Sequence, residues 1–138
     1  MDIKLDANLC KKYPHLYADR NLSMQETCMV WGFECGDGWY KIIDELSAVL
    51  EALIVEWVKN DPENSEHYPR ASQVKEKYGT LSFYMTSGTD EMDAFIRTAE
   101  IQSSNTCERC GKPGKMRGHG WYYTACARHT RKEDKGNA

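Results

Sequence analysis

Near the end of the chain, Cys107 and Cys110 are two residues apart, Cys126 and His129 are two residues apart, and fifteen residues lie between the pairs. This spacing constrains the fold more than any other feature. A C-x2-C pair lets one tight turn direct both thiolates at a single ion, and sulfur and imidazole donors in a set of four suit tetrahedral Zn2+. One zinc ion bound by Cys107, Cys110, Cys126 and His129 is therefore expected, with Gly111 placed where the turn needs a permissive backbone. Four protein donors leave no position for water, so the expected ion is structural rather than a Lewis acid or a source of hydroxide. The 23 residues from 107 to 129 bury too little apolar surface to fold alone. Metal binding should supply much of their folding free energy, on the order of 10 kcal/mol.

Between the pairs, "KMRGHGWYYTA" reads as a hairpin turning through Gly118, His119 and Gly120, and Cys126-x2-His129 reads as the first turn of a helix. Knuckle, hairpin and helix in that order resemble a treble-clef zinc finger. The related ββα-metal nucleases imply another use for His119, as a catalytic base. They also need a second ion held by side chains on the helix, and "ARHTRKEDKGNA" offers only His129, already committed to zinc. An exposed turn histidine is the expectation for His119. Cys28 and Cys35, with Cys10 and His15 upstream, are spaced unlike common zinc sites and are expected to be buried thiols.

A chain of 138 residues with 41% hydrophobic and 11% aromatic residues can close one core, although its mean hydropathy is -0.71. One soluble unit is expected, an α+β body over 1–106 with a zinc module over 107–138 packed on it. "MDIKLDANLCKKYPHLY" lacks a basic start followed by an apolar run, so no secretory signal is read and a cytoplasmic setting is expected. In a reducing compartment, cysteines serve as ligands or buried thiols rather than disulfides. The net charge of -3 divides unevenly: residues 107–138 carry eight Lys and Arg against three acids, and residues 1–106 carry ten against eighteen. Three thiolates and one Zn2+ reduce the +5 of the module to about +4, still favourable to an anionic partner.

From Asp37 to about Asn60, Trp39, Ile42, Ile43, Leu46, Val49, Leu50, Leu53, Ile54, Trp57 and Val58 recur at helical spacing, with Asp37 as the expected N-cap. A minor stripe of Ala48, Ala52 and Val55 predicts cover on a second side, and the charges among these residues exclude a membrane span. "NDPENSEHYPR" ends the helix, and alternation through "ASQVKEKYGTLSFYMTS" predicts a hairpin turning at Tyr78-Gly79. Ser87 with Asp90 resembles a capping pair for a second helix running to about Ser103, after which "SSN" reads as a linker. A short helix is expected over Ala7 to Tyr17 and a strand within "ETCMVWGFEC". The architecture expected is a long central helix on a small antiparallel sheet, followed by the zinc module.

Trp31, Trp39, Tyr40, Tyr78, Tyr84, Trp121, Tyr122 and Tyr123 exceed the needs of one core helix. Alternation along Trp121, Tyr122 and Tyr123 forces at least one ring off the module's core. Beside Lys112, Lys115 and Arg117 such a ring could stack on a base or anchor a protein interface, or the rings could bridge the module to the main helix. No P-loop, G-x-G-x-x-G, G-x-S-x-G or zinc-deaminase pattern occurs.

The blocks "ETCMVWGFECGDGWYKIIDEL", "SQVKEKYGTLSFYM" and "CERCGKPGKMRGHGWYYTACARH" resemble small zinc-binding proteins encoded by tailed phages and prophages. That resemblance implies a bacterial host cytoplasm and an accessory factor that inhibits or redirects a host protein such as a defence complex. The leading expectation is accordingly a non-enzymatic protein-binding module. The second is nucleic-acid binding through Arg109, Lys112, Lys115, Arg117, Arg128, Arg131 and Lys132, with Trp121 and Tyr122 as stacking or anchoring rings. A metal-dependent nuclease or nucleotide hydrolase comes third.

Overall fold

The computed structural model describes residues 1–136, so positions 137 and 138 of the expected module lie outside the described residues. The fold is α+β. Helix α1 spans Ile3–Lys12, strand β1 Phe33–Glu34, helix α2 Tyr40–Asn60, strands β2 Ala71–Lys77 and β3 Thr80–Met85, helix α3 Asp90–Ser103, and strands β4 Lys115–Arg117 and β5 Tyr123–Ala125.

The apolar stripe of α2 is its buried face: Ile42, Ile43, Leu46, Leu50 and Ile54 enter the core, whereas Ala48 and Ala52 are exposed. The second side expected to be covered is therefore open at those two positions. One polar group on the buried face is fully satisfied: Ser47 donates to the Ile43 carbonyl at 2.6 Å and accepts the Tyr17 hydroxyl at 2.5 Å. Asp37 is not the α2 cap. It opens a 3-10 turn, Asp37–Trp39, that leads into the helix, and its carboxylate accepts the Asp2 N–H at 2.6 Å instead. The capping pair expected at Ser87 is likewise replaced by Thr89, which accepts the Met92 N–H at 3.2 Å. Helix α1 starts earlier than expected because Asp2 caps it through the Lys4 N–H, and it ends at Lys12 because Pro14 disfavours a helical Tyr13.

The hairpin of β2 and β3 has the expected turn and alternation. Val74 pairs with Phe83 and Lys77 with Thr80, and Leu81 and Phe83 are buried. The sheet is mixed rather than antiparallel, because β1 joins β2 in parallel with Phe33 opposite Val74. Parallel neighbours need a long crossover, and α2 lies within that connection. The expected strand is reduced to two residues, since Cys28–Trp31 forms a 3-10 turn. "SSN" is not a free linker either. Ser103 ends α3 fully buried and its Oγ accepts the Leu81 N–H at 2.8 Å.

Candidate metal centre

The chain folds back sharply at Cys107. Its N–H bonds the Lys112 carbonyl at 2.8 Å, its carbonyl accepts the Gly111 N–H at 2.9 Å, and Gly111 takes φ +80°. Both thiols of the first pair thus face one point. Strands β4 and β5 carry the chain out and back, pairing Met116 with Thr124 and Arg117 with Tyr123, and return it at Cys126. The expected knuckle and hairpin are present, but the expected helix is not. Cys126 precedes a three-residue 3-10 turn, Ala127–His129, because the Thr130 hydroxyl takes the Cys126 carbonyl at 3.0 Å and Arg131 continues extended.

The four donor atoms all lie within 4.8 Å of one another. Cys110 Sγ is 3.7 Å from Cys126 Sγ, and His129 Nδ1 is 3.5 Å from Cys107 Sγ and 3.3 Å from Cys126 Sγ. Metal bonds of about 2.3 Å to sulfur and 2.1 Å to nitrogen give tetrahedron edges of about 3.8 and 3.6 Å. A zinc-sized ion therefore fits the arrangement. Burial opposes ionisation of Cys107, but the N–H groups of Cys126, Cys110 and Arg109, together with His129, outweigh it and pull this thiol down to about 6. At Cys110 the Lys112 N–H favours the thiolate, yet desolvation and the adjoining Cys107 and Cys126 prevail and hold it above the ordinary thiol value. Negative charge on Cys107 and Cys110 is mutually opposed, and a divalent cation between them removes that conflict.

Sequence reasoning overlooked how the knuckle meets the body. The Glu108 carbonyl accepts the Gly38 N–H at 2.7 Å, and its carboxylate accepts the Gly36 N–H at 2.8 Å. A Cβ on Gly38 would fall 2.1 Å from the Cys107 carbonyl oxygen, and one on Gly36 would fall 2.4 Å from the Glu108 carbonyl oxygen. The glycines of "CGDGW" are thus the bed on which the knuckle lies. They were the available signal, two glycines flanking Asp37 just before a helix. Trp39 completes the seat, fully buried with its indole N–H on the Thr106 carbonyl at 2.9 Å.

Among the expected binding residues, Arg109, Lys112, Lys115, Arg128, Arg131 and Lys132 are exposed, and so is Lys135. Arg117 is half-buried and its Nε donates to the Ala125 carbonyl at 3.0 Å. Arg131 lies 4.0 Å above the Tyr123 ring, and its N–H bonds the Tyr123 hydroxyl at 3.0 Å. Trp121 and Tyr122 remain 72% and 46% exposed, so the bridge to α2 is made by Trp39 and not by these two rings. His119 is exposed at the hairpin tip. Among the other cysteines, burial pushes Cys35 up to about 12, and burial with the neighbouring Asp6 takes the half-buried Cys10 to about 11. Cys28 is exposed, contrary to expectation, because its 3-10 turn commits Met29 rather than Cys28 to the core. Among the described residues one Cys/His/acid cluster has metal-binding geometry, the one at Cys107. No helix of the described residues is long and apolar enough to cross a membrane.

Comparison of the chain with protein-family models, curated proteins and solved structures found no match.

Proposed function

We propose that this is a non-enzymatic protein, stapled by one structural zinc ion at Cys107, Cys110, Cys126 and His129, whose C-terminal module binds nucleic acid. The observation that carries the reading is the placement of the module's acids. Its three acids are Glu108, Glu133 and Asp134. Glu108 is turned onto the Gly36 N–H, and Asp134 is buried as acceptor for the Tyr123 hydroxyl. Glu133 alone is left exposed, against seven exposed cations. The surface is more basic than the composition of the segment implies, and this supports a polyanionic partner. Four protein donors around the ion support a structural role and argue against hydrolysis at it.

Binding of a labelled oligonucleotide to the zinc-loaded protein, followed by anisotropy across a salt series, tests the reading. If four phosphates are contacted, log Kd should change with log salt by a slope of about 3. Arg128→Glu and Lys132→Glu should each weaken binding and lower that slope. Binding that is absent, or insensitive to salt, counts against the reading.

A protein partner, as the phage resemblance implies, is the second reading. It is favoured by a separate apolar cluster on the body, where Met24 and Trp31, 67% and 61% exposed, line a surface hollow. Trp31→Ala should then abolish capture of a host protein that persists after nuclease treatment. Retention of the same protein by the variant would exclude this surface.

A further inference from the structure

The nucleic-acid reading leaves open whether the ligand is a duplex or a single strand, and what the body contributes. Resting on that reading, we infer that the ligand is single-stranded and that its bases stack on a platform built jointly by two hairpin tips, with Tyr78 from the body and Tyr122 from the module.

The two tips are held together. The Thr124 hydroxyl donates to the Gly79 carbonyl at 2.6 Å, and a Cβ on Gly79 would lie 3.2 Å from both Met116 Cε and the Tyr122 carbonyl carbon. Met116 is paired with Thr124, and Tyr122 precedes Thr124 by two residues, so these three share the hairpin side that meets the body. Lys115 and Arg117 pair with Ala125 and Tyr123 and belong to the other side. Tyr122 thus lies apart from Lys115 and Arg117 and adjoins the tip of β2 and β3. Tyr78, Tyr122 and Met116 are 76%, 46% and 44% exposed. Cations adjoin Tyr78 from the body side: Lys77 is exposed, with Nζ 5.8 Å from the Tyr78 ring centroid, and Lys75 shares its strand face.

Tyr78 also has an unusual backbone. With φ +53° followed by Gly79 at +89°, it occupies the first central position of a two-residue turn in which both residues are left-handed. That position favours Asn, Asp or Gly, and a bulky residue there is strained. A tyrosine that accepts this strain while leaving most of its ring in solvent is not there for packing. Strain of this kind concentrates where a side chain must be presented. Exposed rings near cations suit unpaired bases, whose faces are free, whereas duplex bases are stacked against one another.

The test measures anisotropy of a 12-nucleotide single strand, its duplex and a polyglutamate peptide with the full zinc-loaded chain at one salt concentration. The single strand should bind at least about ten-fold more tightly than the duplex, and Tyr78→Asn should weaken it by about ten-fold, one ring's share. The same variant should keep its zinc and melt no lower than wild type, because asparagine relieves the backbone strain; Tyr78→Trp should retain affinity. Equal affinity for duplex and single strand overturns this inference and leaves the nucleic-acid reading standing. Unchanged single-strand affinity in Tyr78→Asn also overturns it. Preference for polyglutamate, or no binding to any probe, overturns both.

Discussion

The body and the module are held together by different physics. Twenty buried residues, from Leu9 to Ala99, form the body's core around Trp39, Tyr17 and the apolar face of α2. The module's buried apolar cluster has four members, Cys107, Tyr123, Ala125 and Cys126, and two of these belong to the candidate metal centre. Hydrophobic burial can carry the first. The second has no comparable core, so under the proposed reading the ion and the seat the body provides must order it. What the contrast teaches is that the dependence runs both ways, since the Gly36–Trp39 segment that leads into α2 lies against the knuckle.

Removing the metal should separate the two regions most. Cys126→Ser, or a strong chelator, should abolish the single equivalent of zinc and cost the module on the order of 10 kcal/mol. Zinc analysis with circular dichroism should show the module lost and helix retained at low temperature but melting earlier; a metal-free protein that melts as before would refute the contrast. Acid should act in the same direction. The Cys107 thiol is depressed in the fold, so the stability it contributes is complete above the ordinary thiol range and is lost as pH falls through about 6. A bound cation competes with protons and moves release lower still, so a chromogenic zinc chelator should report release only below about pH 6.

Next in size is the body's own core. Leu50 is fully buried, and Leu50→Ala should cost about 2–5 kcal/mol in urea unfolding while zinc stays bound. Loss of zinc in that variant would mean the two regions are not separately stabilised.

A smaller effect probes the seat between them. Gly38→Ala places a methyl 2.1 Å from the Cys107 carbonyl oxygen, which is backbone and cannot turn aside, and should cost about 1–3 kcal/mol with weaker zinc retention. Gly88→Ala, where the nearest atom is 3.5 Å away, is the matched control and should stay within about 0.5 kcal/mol. Equal behaviour of the two variants would remove the seat from the account.

Features that arise from neighbours in the chain were legible from residues alone. Helical spacing marked α2 and most of α3, alternation marked β2 and β3 with their turn at Tyr78-Gly79, and the cysteine spacing marked the four donors that converge. Caps were misjudged by a few residues, since Asp37 and Ser87 have good capping chemistry but the caps that form depend on where the chain enters each helix. Strand β1, at two residues, is too short to show a period and exists through its pairing with β2.

By itself the sequence determined the α+β character, the main helix, the body hairpin and the donor set, because periodicity and short spacing are local consequences of backbone geometry. Tertiary structure alone decided that Glu108 is turned inward onto Gly36, 72 positions away, that Asp134 is buried under Tyr123, and that Gly79 meets the hairpin of β4 and β5 at Thr124. Those outcomes set the charge and the aromatic face that the surface displays. They follow from close packing between segments remote in the chain, and no pattern within either segment encodes the meeting.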